Sequence, residues 1–170
     1  MPNNTTAHET LWKLIKEIRF GMLTHSAATG MLHAHPLTTL TTLNRSVDAQ
    51  ADLFFFIPKT GELYERLLTD GEVNVSYADP GQDSYVSLSG QARFVDDLAQ
   101  KEALWSPAAQ AWFPGGHTDP ELALLAVRIR HAEYWDVDES KMVQLFKMAK
   151  AAITGQPPRE LGEHKELTLS

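Results

Sequence analysis

The feature that most constrains this chain is the unbroken apolar run Leu53-Phe54-Phe55-Phe56-Ile57, set between Asp52 and Pro58. Successive side chains of a strand point to opposite faces, so a run of this length with no polar alternation predicts a strand buried on both sides. Such a strand is expected at the centre of a sheet. A chain of 170 residues that is 43% hydrophobic can supply the matter to cover it within one domain.

Around that run the period changes repeatedly. Thr6-Ala7-His8-Glu9 has the spacing of a capping box, and Leu11, Leu14, Ile15 and Ile18 then recur on one helical face, predicting a helix over 7–18. Phe20–His25 and Met31–Leu40 read as two extended segments joined by a turn containing Gly30. After Pro58, Thr60 is placed to cap a short helix bearing Leu63, Tyr64, Leu67 and Leu68, which Gly71 ends. Val73, Val75 and Tyr77 alternate with polar residues, Asp79-Pro80-Gly81 signals a turn, and Tyr85–Val95 is the second arm, with Gly90 marking a bulge. Residues 96–105 are expected to be helical and 105–120 to be a loop without period. A strand over Leu122–Arg130 leads into Ala132-Glu133-Tyr134-Trp135-Asp136, and a helix from near Asp138 runs to about Ile153. The expectation is a mainly β fold with peripheral helices, an antiparallel barrel of six strands over 1–154, followed by a mobile tail over 155–170.

Charge and composition narrow the function. Fifteen bases against 22 acids leave a formal charge of −7, which opposes phosphate-backbone attraction, so no nucleic-acid partner is expected. No apolar run approaches the roughly 18 residues of a membrane span, and Met1-Pro2-Asn3-Asn4-Thr5-Thr6 lacks the regions of a signal peptide. A cytoplasmic protein without a membrane partner is expected. With no cysteine there is no disulfide, thiolate nucleophile or Cys-rich metal site.

Four segments could carry chemistry. His33 and His35 leave the same face of an extended segment and could converge on a metal, yet Thr38-Thr39-Leu40-Thr41-Thr42-Leu43 brings only hydroxyls behind them, so no metal is expected. Pro36 between them and the rest of the strand removes a ladder donor, which fits either a plain edge or an approach point for another molecule. Pro58-Lys59-Thr60-Gly61 joins the buried strand to a helix start, where Lys59 and free backbone N–H groups favour an anion while Glu62 opposes it. Trp112-Phe113-Pro114-Gly115-Gly116 and Tyr134-Trp135 serve equally as core anchors or as surfaces that stack on a flat ligand. No phosphate-binding or dinucleotide-binding glycine motif is present, and no catalytic residue is singled out.

In order along the chain, Leu32-His33-Ala34-His35-Pro36-Leu37-Thr38-Thr39 and Leu53-Phe54-Phe55-Phe56-Ile57-Pro58-Lys59-Thr60 resemble the second and third strands of the pyridoxamine 5′-phosphate oxidase-like FMN-binding split barrels. Tyr85-Val86-Ser87-Leu88-Ser89-Gly90, Leu104-Trp105-Ser106-Pro107, Ala111-Trp112-Phe113-Pro114-Gly115-Gly116 and Ala132-Glu133-Tyr134-Trp135-Asp136 resemble the general stress protein branch, and the likeness spans about 8–150.

The resemblance implies a split β-barrel homodimer with FMN, or FAD, in clefts at the subunit interface, and no other protein partner. By position it places His35, Pro36, Leu37, Thr38 and Thr39 along the flavin and its ribityl chain and Phe56 with Ile57 as the adjacent wall. It puts Lys59 and Thr60 near the phosphate, and Trp112, Phe113 and Trp135 around the ring, some of them from the second subunit. It implies a flavin-dependent oxidoreductase, with a non-catalytic flavin-binding or flavin-buffering stress protein as the alternative. This chain has His35-Pro36 where the family has Arg-Pro, exchanging a permanent cation for an imidazole. It also lacks the basic C-terminal motif of true pyridoxamine-phosphate oxidases, ending instead in Pro157-Pro158-Arg159-Glu160 and an acidic tail, so that activity is not expected.

Overall fold

The computed structural model describes residues 4–40, 52–136, 141–157 and 163–168. Helix α1 (Asn4–Ile18) precedes strands β1 (Phe20–Ser26), β2 (Leu32–Thr38) and β3 (Asp52–Pro58); α2 (Glu62–Leu67) leads to β4 (Glu72–Asp79) and β5 (Ser84–Val95). Then come α3 (Leu98–Ala103), α4 (Pro107–Trp112), β6 (Leu122–Asp136), α5 (Lys141–Thr154) and β7 (Glu163–Thr168). The expected helix start near Asp138 lies outside the described residues.

All strand pairs are antiparallel, and the ladder runs β2-β1-β4-β5-β6-β3, with β7 attached to β6. Its two ends approach each other through one isolated bridge, Leu40 to Phe54, which leaves the barrel split between β2 and β3. The strand β3 is therefore terminal in the ladder rather than central. It is nonetheless buried on both faces, because Leu53 and Phe55 enter the barrel core beside Leu23, Val75, Leu88 and Leu125, while Phe54 and Phe56 enter a second cluster with Leu104, Ala109, Leu122 and Leu124. The apolar run thus separates two cores. The second is covered by α4 and the segment that leads into it from α3, through Leu104, Trp105, Ala109 and Phe113.

Other differences follow from local chemistry. Thr6 lies inside α1 rather than capping it. Gly61, at φ 99°, precedes the first turn of α2 in place of Thr60, a conformation that costs glycine little. Within the stretch expected as a loop, Ser106 accepts a hydrogen bond from the Ala109 N–H and Pro107 occupies the first turn, so α4 forms. The segment expected as a tail contributes a seventh strand: β7 pairs with β6 from His131 to Asp136 and buries Leu167. The bulge falls where Gly90 predicts it, with the β5–β6 register shifting between Ser89 and Gly90. A Cβ at Gly90 would collide with the Arg128 carbonyl oxygen.

Candidate functional site

A cavity of about 700 Å³ opens at the split, a size typical of small-molecule sites. One wall is the end of β2 and its continuation, His35 to Leu40; the opposite wall is Phe56, Ile57 and Pro58 of β3. Arg19 and Phe20 close one side, Thr60 to Leu63 another, and α4 with its flanks adds Ser106, Ala109, Trp112 and Phe113.

The aromatic side is fixed by packing. Phe56 meets the Trp105 ring at 5.4 Å and the Phe113 ring at 6.3 Å between centroids. The Trp105 indole N–H donates to Gln110 Oε1 at 3.2 Å, and Gln110 Nε2 donates to the Pro114 carbonyl at 3.1 Å, which pins the turn after α4. Phe113 is thereby held as an anchor, while Trp112 stays 73% exposed at the rim.

The polar side is sparser. Thr39 is buried, and its hydroxyl shares a 2.6 Å hydrogen bond with the Tyr77 phenol, so it is engaged inward rather than toward the cavity. Thr38 and Thr60 add further hydroxyls to the lining. Arg19 is the full cation of the lining and forms no ion pair among the described residues. His35 stacks on His25 at 5.1 Å and faces it Nε2 to Nε2 at 3.0 Å. Burial first, then the neighbouring His25, pushes the His35 pKa below the ordinary imidazole value. Glu62, at the cavity edge, accepts a 2.9 Å hydrogen bond from His33 Nδ1, which holds its carboxyl below the ordinary range.

Ten of the expected residues therefore meet in one place: His35, Pro36, Leu37, Thr38, Thr39, Phe56, Ile57, Thr60, Trp112 and Phe113. Two do not. Lys59 is outside the lining, its backbone N–H tied to the Glu121 carbonyl at 2.8 Å. Trp135 lies on β6 far along the sheet, its ring stacked on His164 of β7 at 4.8 Å. Arg19 is the addition that sequence reasoning missed. Its position depends on a backbone turn at φ 67° between α1 and β1, which leaves no periodic signal. His25 was also missed, although the hairpin register that sets it opposite His33 follows from the two strands and their short turn.

An antiparallel barrel split along one seam, with an aromatic-walled cavity at the seam, defines a split-barrel protein. The chain belongs to the Pyridoxamine 5′-phosphate oxidase like family, whose match covers residues 6–159. It is 32% identical to the general stress FMN/FAD binding protein of Xanthomonas citri, with a TM-score of 0.68 over 81% of this chain and 93% of that one. A Clostridium acetobutylicum protein related to general stress protein 26 of Bacillus subtilis, of the pyridoxinephosphate oxidase family, shares the fold at 15% identity, with a TM-score of 0.70 over 98% of this chain and 97% of that one. Protein bli-3 of Neurospora crassa is 25% identical over 157 residues, 85% of this chain and 73% of that protein. Among the described residues no helix is long and apolar enough to cross a membrane.

Proposed function

We propose that this protein binds a flavin, FMN with FAD as the alternative, in the cavity at the split, and acts as a flavin-dependent oxidoreductase of the general stress type. The observation that carries the reading is a lining that combines the aromatic rings of Phe56, Phe113 and Trp112 with the Arg19 cation and the Thr38 and Thr60 hydroxyls. A flat apolar ring, a polyhydroxyl chain and an anionic phosphate call for those three kinds of partner. The family match and the FMN/FAD-binding relative support it. When bound, the flavin supplies the electron or hydride transfer.

The chain's own residues do the holding. Phe56 and Phe113 would wall the ring, the exposed Trp112 would cover it from the rim, and Arg19 would attract the phosphate, the role expected of Lys59. A homodimer and a cytoplasmic location belong to the same proposal. Protein purified without added cofactor should show flavin absorption, and FMN titrated into stripped protein should lose its fluorescence saturably. No saturation at tens of micromolar, about −6 to −7 kcal/mol, overturns flavin binding. Steady-state turnover with nicotinamide donors then separates the oxidoreductase from a flavin-buffering protein.

A further inference from the structure

Beside the cavity the hairpin gathers a second constellation. His25 on β1 is directly opposite His33 on β2, so with His35 two residues further along these imidazoles share one face of the sheet. The helix α2 closes over them, held to β1 by the Arg66 guanidinium, which donates from Nε to the Ser26 carbonyl at 3.0 Å. Ligand atoms of His25, His35 and Glu62 all lie within 4.8 Å of one another. We propose that His25, His35 and Glu62 form a binding site for a divalent transition-metal ion such as Zn²⁺, with His33 positioning the carboxylate.

Tautomer and geometry fit this donor set. The Ser26 carbonyl can only accept, so at 3.3 Å it takes the proton of His25 Nδ1 and leaves the Nε2 lone pair facing His35. The 3.0 Å between the two Nε2 atoms is close to the separation of roughly 3.0–3.4 Å that two imidazoles have on one ion at bond lengths of about 2.0–2.1 Å. The ion displaces only the proton shared between them, with His35 moving its proton to Nδ1. Glu62 is exposed and can close the remaining gap with its other carboxylate oxygen, Oε1, while Oε2 keeps the His33 bond. Its hydrogen bond from His33 is the kind of outer contact that orients a metal-bound carboxylate. His25 is buried behind the site, whereas His35 and Glu62 both line the cavity, so the open coordination positions face it and can take water or an anionic oxygen. Two nitrogens and one carboxylate select a borderline transition ion over Mg²⁺ or Ca²⁺.

The cluster His131, Glu133 and Glu166 on β6 and β7 supplies an internal comparison, since it has a single imidazole with no buried nitrogen behind it. The test is calorimetry with ZnCl₂ on untagged, chelator-stripped, flavin-free chain. Wild type is expected to take one equivalent with a dissociation constant of ~10 μM or tighter, about −7 kcal/mol. His25→Gln and Glu62→Gln should each weaken it at least ~10-fold while His131→Ala leaves it unchanged. Glu62→Gln alters an exposed side chain and decides the matter should the buried His25 variant fail to fold. Uptake weaker than ~100 μM, equal affinity in wild type and Glu62→Gln, or loss on His131→Ala overturns the site. Because no flavin is present, none of these outcomes depends on the flavin reading.

Discussion

Arg19 holds a conformation that L residues avoid. At φ 67° it ends α1 in the left-handed region, its N–H bonded to the Ile15 carbonyl at 2.9 Å and its own carbonyl accepting from the Thr39 N–H at 2.9 Å. Glycine is the residue such a helix end usually takes. Arg19→Gly should therefore raise unfolding stability by about 1 kcal/mol in urea titrations, by relieving the left-handed strain. The same change should weaken FMN at least ~10-fold and leave riboflavin nearly unaffected, since a charge-assisted contact to the phosphate contributes roughly 1.5–3 kcal/mol. A variant that is less stable, or that loses both flavins equally, contradicts this role. Tyr77 gives a second test at this scale. Burial pushes its phenol pKa up, against the smaller opposing effect of its bond to Thr39. The unfolded phenol ionises near pH 10 while the folded one stays protonated, so its contribution is intact below about pH 10 and falls as pH rises beyond it. Tyr77→Phe should cost about 1 kcal/mol at pH 7, from the lost hydrogen bond, and should flatten the decline between pH 9.5 and about 11. An equally steep decline in the variant excludes Tyr77 as its source.

Among the elements, strands were more legible than their neighbours in the sheet. Asp52–Pro58 was readable to the residue because five apolar side chains in a row admit little else. Its place at the ladder's end was not, because burial on both faces looks the same whether the second cover is a sheet neighbour or α4 and the segment before it. The six-residue α4 shows no helical period, so only its Ser106 cap and Pro107 mark it. The cavity's β2 and β3 walls were legible through ordered motifs, whereas Arg19 and the His25 pairing came from a turn and a register. For β7 the strand pattern is masked by charge: Glu163, His164, Lys165 and Glu166 precede its one buried apolar residue, Leu167. Leu167 packs in the same core as Tyr134 and Ala132. Leu167→Ala should therefore cost about 2–3 kcal/mol in chemical denaturation, toward the low end for a core leucine because its strand pairs on one side only, with β6. A mobile tail would give a change within about 0.5 kcal/mol.

At the scale of the whole molecule, the outer surface of the split is unusually apolar. Phe20 is 58% exposed and Met22 41%, both on the outward face of β1, and Leu32 of β2 is 73% exposed. The register sets Phe20 against Thr38 and Met22 against Pro36, so this face runs directly into the cavity wall, which Phe20, Pro36 and Thr38 help to form. Trp112, 73% exposed at the rim, extends it on the other side. Apolar surface continuous with a ligand cavity favours a partner that covers both, and a second copy of this chain is the partner proposed above. Wild type should then have twice the 19.0 kDa chain mass by light scattering. Met22 lies outside the cavity lining of its own chain, so Met22→Glu leaves that lining unchanged. Burying an unpaired carboxylate on each side of a two-fold interface costs several kcal/mol, so the variant should be monomeric at ~10 μM. If the second chain closes the cavity, FMN affinity should fall with the dimer by at least ~10-fold, while far-UV circular dichroism stays the same. A monomeric Met22→Glu protein that binds FMN as tightly as wild type would mean that one chain holds the flavin alone, and the apolar face would then need another explanation.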